Sequence, residues 1–96
     1  MILVLDVGNS QIFCGVFDRG ELNVQFRYAS TSRSSSDEIG VFLRGALREN
    51  GIAPEAITTI GISSVVPELN YTLWACCQKY FEIDPMVLRT STVTTI

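Results

Sequence analysis

Residues Asp6–Ser10, DVGNS, break an otherwise apolar opening, MILVLDVGNSQIFCGVF over residues 1–17. Ile2 to Leu5 is a continuous apolar run that resumes at Val7, the pattern of a strand covered on both faces. Ile12 to Phe17 reads as a second strand, so Gly8, Asn9 and Ser10 fall at the turn between two strands. Asp, Gly, Asn and Ser are all turn formers, and DVGNS alone is compatible with an ordinary β-turn. Asp6 is harder to explain that way. A carboxylate that ends an apolar strand is costly unless something pairs with it.

Asp18-Arg19-Gly20 supplies the next turn. Leu22, Val24, Phe26 and Tyr28 then alternate with Glu21, Asn23, Gln25 and Arg27, a period of two that predicts a third strand with one wet face. The short links make the three strands an antiparallel meander. Residues 29–36 are polar and serine-rich, a loop. Ser35 and Glu38 fit a capping box at the start of a helix. Its apolar face carries Ile39, Phe42, Leu43, Ala46 and Leu47, and Asn50-Gly51 closes it. Ile57, Ile60, Ile62, Val65 and Val66 predict a fourth strand, closed by Pro67. Residues 68–81 predict a second helix with Leu69, Leu73, Cys76, Cys77 and Tyr80 inward. Met86 to Leu88 predicts a fifth strand. The tail Arg89 to Ile96 carries neither a helix signal nor a stop signal and looks cut in the middle of something.

The order β-β-β-α-β-α-β predicts an α/β domain with a mixed sheet and helices on its faces, the element order of the ribonuclease H-like fold of actin-like ATPases. The 96 residues suffice for one small domain. Hydrophobic residues make up 47% and charged residues 18%, which excludes a disordered chain. The net charge is −3 and the seven basic residues are scattered, which speaks against a nucleic-acid partner. Histidine is absent, so acid–base chemistry within these residues would fall to carboxylates. Cys14, Cys76 and Cys77 have no zinc spacing and read as reduced core thiols, which fits a cytoplasmic location. Neither a signal peptide nor a membrane span is indicated.

Set on a hairpin of such a sheet, DVGNS has a functional reading as well. A tight turn offers successive backbone N–H groups to phosphate oxygens. Gly8 lets a polyphosphate approach the backbone, and Asn9 and Ser10 add short polar groups. Asp6 is placed to hold a magnesium ion through its waters, since that ion takes one or two carboxylates together with phosphate oxygens.

The pairing of DVGNS with IGISSVVPEL, together with IFCGVFDRGEL, STSRSSSDEIG and KYFEIDP, resembles the type III pantothenate kinase family from Met1 to Pro85. The resemblance implies ATP-dependent phosphorylation of pantothenate, the first step toward coenzyme A. It implies that Asp6, Val7, Gly8, Asn9 and Ser10 line the ATP phosphates and magnesium, with Gln11, Ile12 and Phe13 continuing the wall. Some members carry lysine where Phe13 stands. A monovalent cation (K+ or NH4+) and a homodimer are implied in the same way. Ser63 and Ser64, at the end of the fourth strand, would face the cleft, or would instead satisfy backbone groups before Pro67. A phosphate-gripping role for Thr31 to Ser36 is weaker than that of a solvated loop with a helix cap, and Tyr71 and Trp74 read as core or interface residues.

The Gly-Ala-Asp-Arg segment that supplies the family's general-base aspartate, and its later Asp-Phe-Gly-Thr-like motif, do not occur in residues 1–96. The chain therefore reads as an N-terminal actin-like nucleotide-binding domain, truncated and inactive alone, with the family's second domain absent. Two other classes fit the same elements. A non-catalytic actin-like regulatory protein would keep DVGNS without the downstream aspartate. A ribonuclease H-like nuclease needs several converging carboxylates, where the fourth strand here ends in Ser63-Ser64-Val65.

Overall fold

The computed structural model describes residues 1–31 and 33–88. The tail reading at residues 89–96 lies outside the described residues. Five strands form one sheet, β1 (Ile2–Val7), β2 (Gln11–Asp18), β3 (Glu21–Ala29), β4 (Thr59–Ser64) and β5 (Met86–Leu88), in the order β3-β2-β1-β4-β5. The first three run as an antiparallel meander, while β4 lies parallel to β1 and β5 parallel to β4. β1 is therefore central, with an antiparallel neighbour on one side and a parallel neighbour on the other.

Both helices, α1 (Ser36–Glu49) and α2 (Asn70–Phe81), lie on one face of this sheet. Strand side chains alternate, and cross-strand partners share a face. Leu3, Leu5 and Val7 of β1 thus join Ile12, Cys14 and Val16 of β2 and Ile60 and Ile62 of β4 in a dry core with Ile39, Leu43, Leu47, Leu73, Cys76 and Cys77 of the helices. Phe26 and Tyr28 of β3 meet the Phe42 ring, with centroids 5.9 and 4.8 Å apart. The opposite face carries Ile2, Val4, Asp6, Phe13 and Phe17. Among the described residues no helix covers it, so the strand predicted to be covered on both faces is covered here on one.

The three thiols are free and buried, as small core residues. Burial pushes each of them up to about 12.

Local chemistry sets the boundaries. The capping box forms as expected: the Glu38 amide donates to Ser35 Oγ at 3.0 Å, and the Ser35 amide donates to Glu38 Oε1 at 2.9 Å. Gly51, at φ 78°, closes α1 in the left-handed region. β4 is shorter than its apolar run suggests. Ile57 ends a 3-10 turn at Pro54–Ala56, and Ser64 Oγ bonds the backbone of Val66, which leaves Val65 and Val66 beyond the strand. A second 3-10 turn at Pro67–Leu69 delays α2 to Asn70. β3 carries a bulge opposite Val16 and Phe17, with Val16 pairing with Val24 but Phe17 with Leu22. The extra residue, Asn23, moves Leu22 off the core stripe and onto the open face.

α1 and α2 pack closely, and three polar contacts tie them together. Lys79 Nζ and Tyr80 OH donate to Asp37 Oδ1 at 2.8 and 2.6 Å, and Arg44 Nη1 donates to the Tyr80 carbonyl at 2.7 Å. The Lys79 and Tyr80 bonds hold the Asp37 carboxyl below its usual range.

Gly40 sits under the Tyr80 ring, where a Cβ would overlap ring carbons, whereas a Cβ at Gly45 meets nothing within 4 Å. In the full-length protein, Gly40→Ala is expected to lower unfolding free energy by about 1–3 kcal/mol through overpacking. Gly45→Ala is expected to raise it by about 0.5–1 kcal/mol through helix propensity. Denaturant unfolding of the two variants checks the pair.

Candidate nucleotide-phosphate site

In open sheets ligands settle beyond the carboxyl ends of parallel strands, where connections diverge to different sides. Here the carboxyl ends of β1 and β4 share one edge of the sheet. From it β1 turns back into β2 through Gly8-Asn9-Ser10, while β4 leaves toward α2. The DVGNS hairpin thus lies where a strand order of this kind leaves an opening.

The hairpin is tighter than its composition requires. The Gly8 amide donates to the Gln11 carbonyl at 2.9 Å and is spent, which removes it from the successive N–H groups expected to face an anion. Among the described residues the amides of Asn9 and Ser10 have no partner, and both residues are exposed at the tip. Gly8 does not adopt a positive φ, and a Cβ there would meet the Gln11 carbonyl oxygen at 3.4 Å, an ordinary contact. Its value to a ligand is the absence of a side chain beside the turn rather than an unusual backbone. Behind the tip, the Ser30 amide donates to the Ser10 carbonyl at 3.1 Å, which ties the end of β3 to the hairpin. Ser30 is 5% exposed, and its Oγ has no partner among the described residues. Sequence reading passed over Ser30, since a serine opening a serine-rich loop carries no sign of burial.

Asp6 lies on the open face, exposed, and its strand neighbours are Phe13 on β2 and Ser63 on β4. With Val4, Phe13, Gly15, Phe17 and Leu22 it lines a shallow groove of about 170 Å³. Val7 and Ile12, each 1% exposed, point into the helical core and offer this edge only their backbone. Gln11 opens β2 with its side chain exposed, and Phe13 stands half-buried beside Asp6.

The two serines part company. Ser63 shares the row and face of Asp6, whereas Ser64 Oγ accepts from the Val66 amide at 3.1 Å and donates to its carbonyl at 3.2 Å. Thr31 and Ser34 are likewise spent on their own loop: the Thr31 amide donates to Ser34 Oγ at 3.1 Å and the Arg33 amide to Thr31 Oγ1 at 3.2 Å. Tyr71 and Trp74 are 74% and 45% exposed, so they are not core residues. Their rings lie 5.9 Å apart on the outer face of α2, and Trp74 Nε1 donates to Asp84 at 3.2 Å.

The donor set suits a hydrated magnesium ion bridged to phosphates. Asp6 is a single exposed carboxylate beside the Ser63 hydroxyl, and such an ion is satisfied by one or two carboxylates when phosphate oxygens and waters supply the remaining ligands. Among the described residues no cluster of three or more metal-binding side chains is found, and no helix is long and apolar enough to cross a membrane.

Comparison with known proteins bears on this geometry. The sequence profile of the family described as type III pantothenate kinase matches residues 2–96. A type III pantothenate kinase of Legionella pneumophila (strain Corby) is 51% identical over 94 residues, covering 98% of this chain and 36% of the relative. One from Elusimicrobium minutum is 49% identical, covering 92% and 34%, and type III pantothenate kinase 1 of Francisella tularensis is 52% identical, covering 96% and 36%. The chain spans about a third of the length of the curated relatives it matches. Among solved structures, a ROK hexokinase from Thermus thermophilus superposes with a TM-score of 0.68 at 16% identity, over 92% of this chain and 34% of that one. At that identity the likeness speaks for the fold alone, and the α/β ribonuclease H-like fold expected from the element order is borne out.

The contrast between the serines is testable without any ligand. Ser64→Ala is expected to fray the end of β4 and cost about 1 kcal/mol, one local hydrogen-bonded hydroxyl, whereas Ser63→Ala should change stability by less than about 0.5 kcal/mol. Equilibrium unfolding of the two full-length variants measures the difference.

Proposed function

The chain belongs to the type III pantothenate kinase family, and from that premise we propose that it is the N-terminal nucleotide-binding domain of an enzyme that transfers the γ-phosphoryl group of ATP to pantothenate. The observation that carries this reading is the position of Asp6. Among the described residues, the central strand ends with its one carboxylate exposed on the uncovered face, beside a hairpin with two unpaired amides at the carboxyl edge of the sheet.

Phosphoryl transfer asks little covalent chemistry of a protein and depends on holding phosphates in line and offsetting their charge. In this reading the Asn9 and Ser10 amides receive phosphate oxygens, and Gly8 leaves the space for their approach. Asp6 orients the hydrated cation, with Ser63 beside it. Asp6 would hold a magnesium ion through its waters, and the ion would supply charge that offsets the phosphates. Val7 and Ile12 act from below, fixing the hairpin to the helical core so that its amides keep their direction. The base that takes the pantothenate hydroxyl proton belongs to the rest of the protein, so residues 1–96 alone are expected to be inactive. The reading extends, through family membership, to a monovalent cation (K+ or NH4+), a homodimer and a cytoplasmic location.

A non-catalytic actin-like role uses the same hairpin and is separated from catalysis by turnover. Asp6→Asn in the full-length protein is expected to reduce magnesium-dependent phosphorylation of pantothenate by at least about 10³-fold, since the cation loses the carboxylate that this edge of the sheet offers it. Product formation from radiolabelled pantothenate measures it. Near-normal turnover in that variant would contradict this role of the hairpin.

A further inference from the structure

We propose that Arg27 is a phosphate-binding residue of this nucleotide site, its guanidinium held in the row of Asp6 by the ring of Phe13. The proposal rests on the reading of the hairpin given above and adds to it the cation that faces the phosphates.

The strand register carries the argument. Ser63 pairs with Asp6, Asp6 with Phe13, and Phe13 with Arg27, so the four residues form one row across β4, β1, β2 and β3. All four lie on the open face, because Leu5, Cys14, Phe26 and Ile62 in the adjoining row belong to the helical side. Arg27 is the only lysine or arginine that the five strands contribute. Its Cζ stands 5.1 Å from the centroid of the Phe13 ring.

That contact fixes a position and leaves the charge available. A guanidinium laid on an aromatic face keeps its N–H edges free, and those edges match the geometry of phosphate oxygens. The two ion pairs found among the described residues, Arg44–Glu55 and Lys79–Asp37, do not involve Arg27. The carboxylate in its row is Asp6, two strands away. Adjacent strands are separated by about 4.8 Å, so the two backbones stand about 10 Å apart with the Phe13 ring between them. Among the described residues the two charges form no ion pair. The result is a row with a cation-binding carboxylate at its middle and an anion-binding guanidinium at one end, below the unpaired amides of the hairpin. A magnesium–nucleotide complex presents both charges at once, metal toward Asp6 and phosphate oxygens toward Arg27.

The test uses the full-length protein and calorimetric titration with ATP and magnesium, alongside steady-state kinetics with pantothenate. Arg27→Met keeps an apolar stem over Phe13 and removes the charge; Arg27→Lys keeps the charge and loses the fork. Arg27→Met is expected to weaken ATP binding about 10- to 100-fold, the loss of one charge-assisted contact, with its melting temperature and its affinity for pantothenate unchanged. Arg27→Lys is expected to recover part of that loss. Arg27→Gln supplies the same charge removal if the methionine variant does not fold. ATP affinity in Arg27→Met equal to wild type would overturn the proposal, as would equal losses in the Met and Lys variants, which mark a structural role. A wild-type protein that binds ATP without phosphorylating pantothenate contradicts the function proposed above, and ATP titration of the variants then still decides the role of Arg27. A wild-type protein that does not bind ATP overturns both.

Discussion

Everything at the candidate site depends on the register of β1. This strand is the centre of the sheet, bonded to β2 on one side and β4 on the other, and its residues alternate between a dry helical face and an open one. Leu3, Leu5 and Val7 are at most 1% exposed, and Asp6 lies between two of them on the opposite face. A slip of one residue would bury the carboxylate among Leu43, Leu73 and the cysteines and expose three large apolar side chains. Burial of an unpaired charge on that scale is not tolerated in a small domain. The constraint that folds the chain is therefore the one that sets Asp6 on the open face, and no separate device is needed to place it.

The same register explains why the open face is sparse in charge yet mixed in chemistry. Four strands contribute one residue each to the row that crosses Asp6, and the row mixes a hydroxyl, a carboxylate, an aromatic ring and a guanidinium. The helical side of the sheet is apolar but for Ser64 at the end of β4, and burial pushes the three thiols of that core up to about 12, so they stay protonated and inert at neutral pH. The charged side chains of β1 and of the row that crosses Asp6 lie on the open face. Polar contacts between helices, such as Asp37 with Lys79 and Tyr80, lie at the surface and serve packing rather than the site.

Much of the fold is legible in the sequence because local signals and burial agree. The capping box at Ser35 and Glu38, the Asn50-Gly51 stop and the apolar stripes of α1 and α2 each point to the observed element. The departures have physical causes that a one-dimensional pattern does not carry. Val65 and Val66 continue an apolar run, but Ser64 turns its hydroxyl onto the backbone of Val66 and ends β4 there. Leu22 fits a period of two, but one extra residue at Asn23 moves it to the other face. At the site, the hairpin and Asp6 were legible as residue types. That Gly8 spends its amide on Gln11, that Ser64 is occupied while Ser63 is not, and that Arg27 lies over Phe13 all depend on pairing across strands, which sequence spacing does not encode.

In the proposed function, nucleotide phosphates are held at the carboxyl edge of β1, with the DVGNS hairpin above it. A crystal structure of the full-length protein with magnesium and a non-hydrolysable ATP analogue tests it most directly. The account predicts phosphate oxygens within hydrogen-bond distance, about 2.7–3.2 Å, of the Asn9 and Ser10 amides, with the cation's waters on Asp6. An analogue bound with its phosphates away from this edge, or a cation bound without contact to Asp6, would contradict it.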